Sequence, residues 1–237
     1  LFEKNLADFV GTKFSVSVNS GTDALFLSLK ALGIGPGDEV ITTSFTFIAS
    51  IQAIVHCGAK PILVDVDQNG LMDMDAVTQC ITKKTKAVIP VHFHGKVCDM
   101  SVLRSLQDKH GFYIVEDAAQ ALGATFLNKR AGAWGDTGCF SFGFPKLLGA
   151  YGDAGGVVTN NEEVYKKLLL LRSHWHIAQA GMNTAVYEQP AVMGWGYKSR
   201  MDEIQAAILN VKLKYLPEVI SRRREIAGRY TAVLRNY

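Results

Sequence analysis

Lys86-Ala-Val-Ile-Pro-Val-His92, Met100-Ser-Val-Leu-Arg-Ser-Leu-Gln-Asp-Lys-His110 and Phe112-Tyr-Ile-Val-Glu116 follow one another as strand, helix and strand. The two outer runs are apolar at consecutive positions, the pattern of strands buried on both faces, while the middle run has helical spacing. The same alternation extends upstream. Residues 14–18 read as a strand, Asn19-Ser-Gly-Thr22 as a tight turn, and Ala24, Leu25, Leu27, Leu29 and Leu32 as a helix that Gly33-Ile-Gly-Pro-Gly-Asp38 stops. A strand at 39–43, a helix over 49–57, a strand at Pro61-Ile-Leu-Val-Asp-Val66 and a helix over 75–81 complete the series. Strands that alternate with helices in this way predict an α/β fold, a three-layer sandwich with a mainly parallel central sheet.

The pattern changes after Asp117. Residues 132–142 and 155–159 read as closely spaced strands that give the sheet an antiparallel edge. A helix follows over 162–172. Residues 174–196 lack periodicity and read as a long loop. From Asp202 a long helix is expected, with Ile204, Ala207, Ile208, Val211 and Leu216 on its apolar face and a break or kink at Pro217. No internal repeat and no domain boundary is visible, so 1–237 reads as one domain. The chain opens inside a helical pattern (Phe2, Leu6, Phe9, Val10) and closes inside another, as though cut at both ends.

Composition narrows the function. With 237 residues, 48% hydrophobic against 20% charged and 6 prolines, the chain is compact and not disordered. A net charge of +3 is too small to imply nucleic acid, and Arg222-Arg-Arg224 with Lys212 and Lys214 read as a solvated helix face. Cys57, Cys80, Cys98 and Cys139 are scattered without a C-x-x-C pair, which favours reduced thiols in a cytoplasmic protein over disulfides or zinc. The longest aliphatic cluster, Leu168 to Leu171, is too short to span a bilayer.

Chemistry at a parallel sheet belongs at the carboxyl ends of its strands. Asn19-Ser-Gly-Thr22 lies there: small residues admit an anion to the free N–H groups of a helix start, although the same residues also serve as plain caps, and Asp23 would repel a phosphate unless turned away. It is neither a G-x-G-x-x-G nor a Walker A pattern. Glu116-Asp117 closes another strand, where a carboxylate caps a helix, ligates a metal or pairs with a cationic ring nitrogen. His92 and His94 are two apart on one strand and would face the same side, as packing or pocket-lining residues more than as a metal pair. Lys146 stands in Cys139-Phe-Ser-Phe-Gly-Phe-Pro-Lys146, with no carboxylate until Asp153. Either it is desolvated and nucleophilic, or its stem packs on the aromatics while its head reaches water. A phosphate cradle, a carboxylate and a desolvated lysine on one α/β sheet are together what pyridoxal phosphate requires: anion donors, an acid partner for its ring nitrogen and an amine.

The sequence resembles the DegT/DnrJ/EryC1/StrS sugar aminotransferases, fold-type-I pyridoxal phosphate enzymes, over nearly its whole length. The likeness is carried by Ser20-Gly-Thr-Asp-Ala-Leu25, Gly35-Pro-Gly-Asp-Glu-Val-Ile41, Ser44-Phe-Thr-Phe-Ile-Ala-Ser50, Pro90-Val-His92, Glu116-Asp-Ala-Ala-Gln-Ala121, Phe140-Ser-Phe142, Lys146, Gly149-Ala-Tyr-Gly-Asp-Ala-Gly155 and Ser199-Arg-Met-Asp-Glu-Ile-Gln-Ala-Ala207. It implies that Lys146 bonds covalently to the cofactor and that Asp117 pairs with its ring nitrogen. Gly21, Thr22 and Ser141 would bind the phosphate, Phe47 would stack on the ring, and Gln120 would lie beside the ring oxygen. The implied reaction moves an amino group, from L-glutamate, to a keto group of a nucleotide-linked deoxysugar. Asp153, where several 4-amino-forming relatives have Glu, tilts the acceptor toward a 3-keto sugar. A 4-keto sugar, a keto-cyclitol and a non-catalytic regulatory protein on the same fold are the alternatives, whereas a sugar dehydratase of the family would have His in place of Lys146.

The resemblance also implies a homodimer with shared sites, in which Lys198 and parts of the 174–196 loop serve a neighbour's site. The family's small C-terminal domain and a short N-terminal segment would lie outside this sequence. Three positions depart from the family pattern: Gly143-Phe-Pro145 before the lysine, Leu147 after it in place of Asn, and Lys198 where an Asn often reaches a neighbour's phosphate.

Overall fold

The structure, a computed structural model, describes residues 1–176 and 194–235. Its elements run α1 Phe2–Val10, β1 Phe14–Val18, α2 Gly21–Ala31, β2 Glu39–Thr43, α3 Ile48–His56, β3 Lys60–Val64, α4 Met74–Cys80, β4 Thr85–Ile89, α5 Met100–His110, β5 Tyr113–Asp117, β6 Thr125–Phe126, β7 Lys129–Arg130, β8 Thr137–Ser141, β9 Gly155–Thr159, α6 Glu162–Leu171 and α7 Glu203–Leu234. Seven strands form one sheet in the order β1-β9-β8-β5-β4-β2-β3. The pairs β3/β2, β2/β4, β4/β5 and β5/β8 are parallel, while β9 is antiparallel to both β8 and β1. The expected α/β sandwich is therefore present, with one correction: the reversed strand, β9, lies inside the sheet, and the edge is β1.

Period-two alternation sorts the strand side chains into two cores. Val16, Val18, Ala87, Ile89, Val115, Cys139 and Val157 pack with α2, α3 and α6 on one face. Ile41, Val88 and Ile114 pack with α4 and α5, and Phe140, Phe142 and Val158 with α1 and α7, on the other. Helix α2 is held between the sheet and its neighbours α3 and α6, which is why Leu25, Leu27 and Leu29 are all fully buried. Burial of each contributes about 1.5–3 kcal/mol.

Three further expectations change. Residues 132–142 are not one strand: Gly132 turns with φ 88°, and only Thr137–Ser141 pairs. A Cβ at Gly138 would stand 2.2 Å from the Gly132 carbonyl oxygen, so the turn folds directly onto the strand. Helix α7 runs unbroken through Pro217. Leu209, Leu213 and Leu216 dock it before the proline, and Ile220 packs against Gly123 after it, so contacts on both sides outweigh the lost backbone bond. The buried face is Leu209, Leu213 and Leu216, whereas Ile204 and Val211 are exposed. Most of the expected 174–196 loop lies outside the described residues. Cys57, Cys80, Cys98 and Cys139 are all free thiols. Among the described residues no helix is long and apolar enough to cross a membrane.

Candidate active site

A pocket of about 390 Å³ opens at the carboxyl ends of β5 and β8, on the α2/α3 face of the sheet. Its walls bring together Gly21, Thr22, Phe47, Asp117, Gln120, Ser141 and Lys146, seven of the eight residues singled out from the sequence. Lys198, the eighth, is exposed, bridges Ser173 through its backbone and does not line the pocket.

The α2 end is built for close approach. Ser20 caps the helix, its Oγ accepting the Asp23 N–H at 3.1 Å. That satisfies the third helical N–H and leaves those of Gly21 and Thr22, which have no intrahelical acceptor, at the pocket wall. A Cβ on Gly21 would stand 2.6 Å from Ser141 Cβ, and one on Gly155 2.2 Å from the Ser20 carbonyl oxygen. Glycine at both positions lets the helix start close against the end of β8. The result is a concave run of N–H groups and hydroxyls suited to a phosphate.

Asp117 ends β5 and is buried. Its Oδ2 accepts the Ser50 hydroxyl at 2.7 Å and its Oδ1 the Ala119 N–H at 3.2 Å. Burial pushes its pKa above the ordinary carboxylate range; the Ser50 and Ala119 hydrogen bonds, then the nearby charge of Lys146, pull the other way without cancelling it. This is a carboxylate short of positive charge, on a pocket wall. A cation brought against it would hold it ionised.

Lys146 follows the Gly143–Pro145 turn, with its N–H donating to the Gly143 carbonyl at 2.9 Å. It is only half-buried. Phe140 and Phe142 point into the core on the opposite face of the sheet, and Phe144 is 88% exposed, so the aromatic run does not wrap the lysine as its sequence implies. Phe47, the residue before α3, is 69% exposed and presents a ring at the mouth. Gln120 is fixed by its Oε1, which accepts the His94 N–H at 3.0 Å.

His92 and His94 separate. His92 is buried and lines the pocket, with Nε2 2.9 Å from Glu116 Oε2. Its Nδ1 accepts the Cys98 N–H at 3.3 Å, which places the proton on Nε2. His94 sits in a 3₁₀ turn at φ 52°, beyond the strand. Among the described residues no group of three or more His, Cys, Asp or Glu could hold a metal.

Sequence reasoning gave no role to Ser50 or Thr46, and named Glu116 only together with Asp117. Ser50 is three residues past Phe47, one turn into α3, a spacing that returns it to the same side; Thr46 Oγ1 lies 2.8 Å from its hydroxyl. Strand alternation places Glu116 on the face opposite Asp117.

A model of the DegT/DnrJ/EryC1/StrS aminotransferase family matches residues 1–237. Among curated proteins, the chain is similar to the UDP-N-acetyl-3-dehydro-alpha-D-glucosamine 3-aminotransferase of Acidithiobacillus ferrooxidans, 44% identical over 231 residues, 96% of this chain and 59% of that protein. It is likewise similar to a pleiotropic regulatory protein of Geobacillus stearothermophilus, 41% identical over 233 residues, 98% of this chain and 60% of that protein. Among solved structures, S. venezuelae DesV in complex with a ketimine intermediate superposes with a TM-score of 0.90 at 42% identity, over 98% of this chain and 60% of that one. The chain thus spans about 60% of the length of the relatives it matches.

Proposed function

The chain belongs to the DegT/DnrJ/EryC1/StrS aminotransferase family, and from that premise we propose that the whole protein is a pyridoxal phosphate-dependent aminotransferase acting on a nucleotide-linked 3-keto sugar, with L-glutamate as donor. The observation that carries this reading is Asp117: a buried carboxylate short of positive charge, on the same pocket wall as a lysine and a glycine-lined helix start. Bound there, pyridoxal phosphate supplies an electron sink for the bond-breaking at the donor's alpha carbon. Gly21, Thr22 and Ser141 would hold its phosphate, and Phe47 would cover its ring. Asp117 would keep a proton on the ring nitrogen, with Ser50 and the Ala119 N–H favouring the ionised form that this needs. Lys146 Nζ would hold the cofactor covalently and move the proton at the donor's alpha carbon.

The 3-keto acceptor is supported by the Acidithiobacillus relative, which is a 3-aminotransferase, and by Asp153 on the pocket wall. Residues 1–237 would be the cofactor-binding large domain of a cytoplasmic homodimer, with α7 leading toward a small domain and Lys198 serving the partner's site. A regulatory protein on the same fold is the second reading, favoured by the Geobacillus relative.

Absorbance separates the two. Full-length protein loaded with pyridoxal phosphate is expected to show a visible band that L-glutamate abolishes and a nucleotide-linked 3-keto sugar then regenerates in the cycle. A band indifferent to every amino donor would favour the regulatory reading, and turnover with 4-keto sugars alone would overturn the acceptor.

A further inference from the structure

We infer that Arg223, on α7, forms an anion subsite opening directly onto Lys146, and that it receives the carboxylate on the amino donor's alpha carbon. The inference rests on the transaminase reading. A second cavity, of about 180 Å³, lies beside the main pocket and shares Ser141, Gln120 and Lys146 with it. Arg223 is part of its lining. A wider cleft then continues outward past Leu147, between Arg223, Arg224 and His94. Neither cavity has a carboxylate in its lining, whereas the main pocket has Asp117 and Asp153.

Three other cations of α7 are already engaged. Lys212 donates to the Gly149 carbonyl, while Arg222 and Arg229 both pair with Glu225. Among the described residues, no ion pair or hydrogen bond ties up Arg223 or Arg224. The arginine run is a solvated helix face, as expected, with 222–224 all exposed; within it Arg222 pairs along its own helix, while Arg223 also lines the cavity. A guanidinium with its fork free, lining one cavity with a lysine and no carboxylate, is matched by a planar carboxylate.

Position selects among the anions of the reaction. The donor's carboxylate is one bond from the carbon whose proton Lys146 would move, so its site must adjoin Nζ. A diphosphate is separated from the reacting keto carbon by the sugar ring. A cofactor phosphate belongs at Gly21 and Thr22, which line the main pocket but not this cavity.

The test uses full-length protein loaded with pyridoxal phosphate. Arg223→Gln is expected to raise the L-glutamate concentration for half-maximal loss of the visible band by roughly 10- to 100-fold. Arg223→Lys should recover part of that loss, and calorimetric binding of glutarate, which cannot react, should weaken in parallel. Cofactor affinity, melting temperature and KM for the keto sugar should stay at wild-type values. Unchanged glutamate and glutarate affinities would overturn the subsite, as would a loss confined to the sugar or to the cofactor. A wild type that ignores all amino donors would remove the transaminase reading and the subsite together; a responsive wild type matched by Arg223→Gln would remove the subsite alone.

Discussion

Glu116 and Asp117 follow one another along β5 and are both buried, yet the strand turns them to opposite faces and into opposite circumstances. Glu116 is saturated. Its Oε1 accepts the N–H groups of Trp134 and Gly135, both at 2.6 Å, and its Oε2 accepts that of Gly132 at 2.8 Å, with His92 Nε2 at 2.9 Å. It closes the 132–135 turn onto β5. Asp117 has two donors, a pocket in front of it and a pKa raised by burial. A buried carboxylate with every lone pair engaged holds structure together; one left short of partners at a cavity is available for a ligand.

Glu116→Ala sharpens the contrast most. It would leave three N–H groups and His92 without their acceptor, and should cost about 3–5 kcal/mol, read from urea unfolding. Near-wild-type stability would mean that the turn does not depend on it. Asp117→Asn should do the reverse: aminotransfer falls roughly 10²- to 10⁴-fold, while the cofactor-free protein melts no lower than wild type at neutral pH.

That melting difference depends on pH in a defined direction. Because burial raises the folded-state pKa of Asp117 above the ordinary carboxylate value, the native protein holds this proton more tightly than the unfolded chain. Wild-type stability is therefore lost as pH rises from the ordinary carboxylate value through the raised one. The advantage of Asp117→Asn should be complete above that window and vanish below it; an advantage that grows in acid would contradict the assignment.

Ser50→Ala gives the smallest effect and the finest test. Removing the 2.7 Å hydrogen bond leaves Asp117 with the Ala119 N–H alone and disfavours its ionised form. Cofactor binding, followed by absorbance titration, should weaken roughly 10-fold with the fold intact. Unchanged affinity would show that Ser50 merely fills space.

Most of the architecture was legible because strand and helix periods survive in sequence: β1 to β5, α1 to α6 and the Asn19–Thr22 turn stand within a few residues of their expected places. What was not legible depends on tertiary packing. Nothing local reveals that Pro217 is tolerated between Leu216 and Ile220, or that α7 buries Leu209 and Leu213 in preference to Ile204 and Val211. The residues that line the pocket were legible as types near strand ends. The difference between Glu116 and Asp117 was not, since it comes from the 132–135 turn on one side and Ser50 on the other. The aromatic neighbours from which a desolvated Lys146 was read belong to the core beneath it; what the structure shows of Lys146 is that it is half-buried and lines one pocket with Asp117 and Gly21.

The most direct measurement is where the cofactor attaches. Full-length protein incubated with pyridoxal phosphate, reduced with borohydride and digested should carry the cofactor's added mass on the peptide containing Lys146, and Lys146→Ala should carry none. A label on Lys198 or another lysine, or no label on a protein that still binds the cofactor, would contradict the site described.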